Sequence, residues 1–214
     1  MINFKIFDIN FAVSVGFTGI ICLMLYVDKV GLMFPTTLAV FLHETGHLIA
    51  LFVFKAKPQR IELKAGAIAI MGNFALTFGE QLVMLTAGSG FNLLIFVTLY
   101  CFYSFYKTAY LLNFSLVMLV IGILNFLPIL GLDGGEILRL LLLKFLKVKV
   151  ANTIVFVASL ITVFIVILLG FYILTDTKSN ISLIIFGIYL FLGILVSKKE
   201  KNDCKIHRNI VKYK

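Results

Sequence analysis

The 214-residue chain is 61% hydrophobic and 14% charged, with a formal net charge of +9. That leaves too little polar surface for a soluble globule and reads as an integral membrane protein. Cys22, Cys101 and Cys204 lie far apart with no C-x-x-C pair, which excludes a disulfide framework and a cysteine zinc site.

The opening MINFKIFDINF carries an acidic residue and runs into an apolar stretch without an A-x-A-like cleavage site. It predicts a retained first span over about 11–26 rather than a removed signal peptide. Asp28 and Lys29 mark a turn. The second span, 32–54, has Pro35 in its first turn and contains FLHETGHLIA at Phe41 to Ala50. In a helix His43 and His47 share one face a turn apart, with Glu44 beside them. Two neutral imidazoles leave a tetrahedral zinc in need of a third protein ligand and one open position for water, whose proton Glu44 can take. The competing reading is a pair of hydrogen-bonded core histidines, or the remnant of an inactive site. Each ionisable group inside a spanning helix costs roughly 2.5–3.5 kcal/mol on insertion scales, and three within five residues call for a compensating role. From His43 to the helix end at Phe54 is about 16 Å at 1.5 Å per residue, so the site is deep but off-centre.

Residues 55–80 change in texture. KAKPQRIELK is basic, and AGAIAIMGNFAL is apolar but too short to span, which suits two short strands or a re-entrant hairpin near the site. An edge strand there would suit capture of an extended peptide. The third span, 81–103, contains TAGSGFNLL, where Gly88, Gly90 and Asn92 serve either helix packing or substrate binding.

The apolar region 108–146 is too long for one crossing and is broken by NFLPILGLDGGEILRL, where Pro128, Gly131, Gly134 and Gly135 interrupt the helix. Asp133 in that break is either a helix cap or the missing zinc ligand. Glu136 has an ordinary alternative in pairing with Arg139 at i+3. Two further spans, 152–174 and 181–196, precede a basic tail, in which Cys204 and His207 are read as solvated. The expected fold is an all-α membrane protein of six spans: a membrane domain over 1–197 and a tail over 198–214.

On that topology sixteen of the nineteen basic residues share a side, and only Lys29, Lys107 and Lys178 lie opposite. The bias predicts a multi-pass cell-membrane protein with both termini cytoplasmic. The basic residues sit in separate loops rather than on one soluble surface, so no nucleic-acid partner is expected.

His43, Glu44 and His47 in a spanning helix, with N-x-x-P-x-x-x-L-D-G-G at Asn125 to Gly135, resemble the intramembrane zinc metalloproteases called site-2 proteases. The order of elements, the RIEL loop and the G-x-x-x-N feature at Gly88 to Asn92 resemble the stage IV sporulation protein FB branch. The resemblance implies that His43, His47 and Asp133 bind one zinc, that Glu44 is the catalytic base and that Asn125 orients the reacting peptide. It implies a membrane-associated protein substrate, such as a sporulation sigma-factor precursor, and a membrane partner that restrains the protease. The sequence departs from the branch at Ser89, where the family has proline, and at KAGAIAI, where the branch has Pro-Phe-Gly-Gly. The short tail is also expected to hold no CBS or PDZ domain. A zinc transporter is the alternative, but its polar residues should trace a path across the bilayer, whereas these cluster at one depth. An inactive scaffold should have lost the base or a ligand.

Overall fold

The computed structural model describes residues 2–6, 9–13, 31–56, 60–64, 67–71, 76–177 and 183–195. They fall into two compact units, Met1–Leu124 and Asn125–Lys214.

The first unit holds strands β1 (Ile2–Ile6), β2 (Ile9–Val13), β3 (Arg60–Lys64) and β4 (Ala67–Met71), with helices α1 (Met33–Val53), α2 (Phe78–Tyr106) and α3 (Ala109–Leu124). The strands form one sheet in the order β1-β2-β3-β4. β1–β2 and β3–β4 are antiparallel, and β2–β3 is parallel. Two expectations are corrected here. The fold is not all-α, because four strands join in a mixed sheet, and the predicted first span does not begin at 11, because 9–13 is a strand. Its remainder lies outside the described residues. The reason is period-two alternation: INFKI, INFAV and RIELK each place apolar residues at every second position. The register pairs them with one another, Phe4 with Phe11, Phe11 with Ile61, and Ile61 with Ile70.

Helix ends follow local chemistry. α1 stops where Lys55 takes a left-handed φ of 55°, with the Ala56 N–H donating to the Leu51 carbonyl at 2.9 Å. α2 starts at a capping box in which Glu80 N–H donates to Thr77 Oγ1 and Thr77 N–H donates to Glu80 Oε2. It ends at Lys107, also left-handed, which turns the chain into α3. The long helices α1 and α2 cross at Gly46, where a Cβ would meet Ala87 O at 2.6 Å, Gly88 Cα at 2.9 Å and Phe91 Cβ at 2.9 Å. A small residue lets the two backbones touch.

The second unit contains the segment 125–132, then α4 (Asp133–Leu143), α5 (Val148–Thr177) and α6 (Leu183–Leu195). Its core is Ile129, Leu130, Val155, Val163, Leu190 and Ile194. The break expected near 125–135 lies at 125–132, with Gly131 at φ +97°. Gly134 and Gly135 do not loosen it as expected. They are helical, and their missing side chains let α4 press on the returning backbone: a Cβ at 134 would strike Phe126 and Leu127 backbone atoms, and one at 135 would strike Ile129.

Among the described residues α1, α2 and α5 are long and apolar enough to cross a membrane, and α3 and α6 are shorter apolar helices. α2, at 29 residues, spans about 43 Å at 1.5 Å per residue, more than a hydrocarbon core of about 30 Å. The outward side chains of α5 include Ile161, Phe164 and Tyr172, all exposed, as a lipid-facing surface requires.

Candidate metal centre

His43 and His47 stand one turn apart on the face of α1 that packs inward, 5% and 6% exposed. Their Nε2 atoms approach to 3.2 Å, with the rings edge to face. His47 Nδ1 lies 2.8 Å from the Met84 carbonyl oxygen of α2. A carbonyl only accepts, so His47 donates from Nδ1, and a neutral ring then carries its lone pair on Nε2. That is the outer hydrogen bond that orients a metal-ligating histidine. The Nε2 lone pair therefore points at the Nε2 of its neighbour.

Gly88 explains how α2 accommodates the rings. A Cβ there would strike His47 Nε2 and come within 2.7 Å of His47 Cε1 and 2.8 Å of His43 Cε1. Only a residue without a side chain leaves room at the two nitrogens. The donor set and this cradle fit a divalent metal that takes imidazole ligands, zinc among them. Glu44 is half-buried on the next position of α1.

Asn92 lies one turn beyond Gly88 in α2 and is completely buried. Asn125 and Asp133 belong to the second unit. There the Gly134 N–H donates to the Asn125 carbonyl at 2.7 Å, which closes the chain break and brings the two ends of the motif together. Asp133 is the first residue of α4, and the cap position before it is Leu132. Glu136 pairs with Arg139 at 3.4 Å, as the i+3 spacing predicts, and Arg139 Nε also donates to Asn152 Oδ1 at 2.9 Å.

Sequence reasoning missed three contributors. The Met84 carbonyl has no side-chain signature. Gly46, inside H-E-T-G-H, could have been read as a helix crossing from its small size between two histidines. Ser159 of α5, fully buried, accepts the Leu130 N–H at 2.9 Å and lies 3.3 Å from the Pro128 carbonyl, so it fastens the break to its neighbouring helix.

Together these features define a class: a chain with three membrane-length apolar helices among its described residues, one of which carries an inward-facing imidazole pair oriented from the helix beside it. Among solved structures the chain is similar to the Site-2 Protease from Methanocaldococcus jannaschii, at TM-score 0.61 and 24% sequence identity over 92% of this chain and 94% of that one. The chain thus has the site-2 protease fold. No family model and no curated protein matches it.

Proposed function

We propose that this chain is an intramembrane zinc metalloprotease that hydrolyses a peptide bond in or near the membrane segment of a membrane-associated protein. The observation that carries the reading is the convergence of two buried Nε2 atoms, with His47 held in the Nε2-ligating tautomer by Met84. His43 and His47 hold the metal, and Asp133 is the third ligand. A bound zinc supplies Lewis acidity toward a carbonyl oxygen and toward water. Glu44 takes the proton of the attacking water on its carboxylate and delivers it to the leaving amide nitrogen. Asn125 hydrogen-bonds the reacting peptide and orients it.

A substrate helix hides its carbonyls in its own hydrogen bonds, so the segment to be cut must first unwind. Among the described residues β4 ends the strand order, and an edge strand suits pairing with an extended peptide. Co-expression with candidate membrane-associated substrates, a sporulation sigma-factor precursor among them, tests the reading when the fragments are sequenced. Wild-type protein should cut. Glu44→Gln, which keeps the shape but cannot accept the proton, should not cut yet should purify with wild-type zinc. Full cleavage by Glu44→Gln rejects the mechanism.

A further inference from the structure

Among the described residues, two polar side chains on α2 find no hydrogen-bond partner although they are completely buried: the Ser89 hydroxyl, and both the oxygen and the nitrogen of the Asn92 carboxamide. Leaving such a group unpaired costs about 1–3 kcal/mol, so its persistence needs a reason. Other hydroxyls of the same helix satisfy themselves on the preceding turn. Thr86 donates to the Leu82 carbonyl, Thr98 to Leu94 and Ser104 to Tyr100. Ser89 makes no such bond, and its donor is held in reserve.

The positions of the two residues say what they are reserved for. Asn92 follows Gly88 by four residues and so lies on the same face, one turn on. Helical side chains lean toward the N-terminus, which aims the Asn92 carboxamide back over Gly88. Gly88 is where the absent side chain leaves space at the imidazole nitrogens. Ser89 stands where α2 packs on α3, since its backbone carbonyl oxygen lies 3.4 Å from where a Gly122 Cβ would be. The unused donors and acceptors therefore sit between α1 and α3, at the depth of the histidine pair.

A carboxamide offers two donors and an acceptor, and a hydroxyl one donor and two acceptors. The chemical class that matches this set is a peptide group, with one N–H and one C=O. In an apolar setting an unwound peptide must have both satisfied. We propose that Asn92 and Ser89 bind the backbone of the unwound substrate beside the histidine pair, with Asn92 accepting from the N–H and donating to the C=O of one extended residue. This rests on the proteolytic reading.

The test uses the purified full chain and a peptide spanning the cut site of the best-cleaved substrate. Asn92→Leu keeps the branching and the heavy-atom count of the side chain and removes every polar atom. It should lower kcat/KM about 10- to 100-fold, as expected for one to two lost hydrogen bonds to a peptide. Zinc content should be unchanged and the thermal midpoint should not fall, because an apolar group replaces an unpaired polar one. Ser89→Ala should show a smaller loss of the same kind. Substrates N-methylated one position at a time give the specific readout. Wild-type protein should be penalised at one position near the cut, and Asn92→Leu should lose that penalty. Wild-type kcat/KM in Asn92→Leu, an unchanged N-methyl profile, or loss of activity together with zinc and thermal midpoint would each overturn the proposal. Failure of the proteolytic reading shows up separately, as a wild-type protein that cuts no peptide.

Discussion

The Nδ1 atom of His47 stands 2.8 Å from the carbonyl oxygen of Met84, a backbone group of a different helix. The orientation of the candidate ligand on α1 is thereby set by α2, and whatever separates these helices should reach the imidazoles before it reaches the fold.

Gly88→Ala is the direct probe of that coupling. The added methyl would strike the His47 ring, and overpacking of this kind costs about 1–3 kcal/mol. Zinc bound by the purified protein should drop, with affinity roughly 5- to 150-fold weaker in chelator competition if that cost falls on the site. Gly90→Ala is the matched control, because nothing lies within 4 Å of a Cβ there. It should bind zinc normally and be slightly more stable, by about 0.5–1 kcal/mol. Equal zinc binding by both variants would show that the cradle does not constrain the rings.

Asp133 and Glu136 separate ligand from ion pair. Asp133→Ala should lower zinc content and abolish cleavage, while Glu136→Ala should leave both largely intact. Glu136 has Arg139 as partner, and half-exposed pairs of this kind contribute about 0–1 kcal/mol. Zinc retained in Asp133→Ala but lost in Glu136→Ala would move the ligand one turn along α4. Metal analysis of the two purified variants decides it.

Ser159→Ala should loosen the chain break. It strands the Leu130 N–H in a buried position, a loss of about 1–3 kcal/mol. We expect a lower thermal midpoint in detergent, and faster hydrogen exchange confined to the backbone around 128–132. An unchanged exchange pattern would mean that packing of Ile129 and Leu130 alone holds the segment.

Topology follows from the distribution of basic residues. A reporter fused after Lys214 should be cytoplasmic, and one inserted near Thr177 should face outside. The reverse labelling would place the Lys55 side of α1, and with it access to the histidines, away from the cytoplasm.

The membrane class, the imidazole pair and the position of the chain break were legible in the amino-acid order. Each rests on a short-range rule: apolar run length, i,i+4 spacing on a helix, or proline and glycine within a span. The Glu136–Arg139 pair was legible for the same reason. The mixed sheet was not. The alternation in 2–6 and 9–13 is visible along the chain, but the parallel partner of β2 is β3, on the far side of α1, and an apolar run flanking a short strand reads equally as the start of a span.

Tertiary structure alone decided the roles of individual groups. The Met84 carbonyl is chemically anonymous in sequence, and only helix crossing selects it from every other carbonyl of α2. Gly88 was ambiguous between packing and binding until the crossing at Gly46 put its bare face against two imidazoles. Asn92 and Ser89 look like ordinary interhelical polar residues until their surroundings show that none of the described residues answers them. Spacing along one helix is a property of the backbone, whereas which side chains are left room, orientation or a partner depends on the neighbouring helices that pack against it.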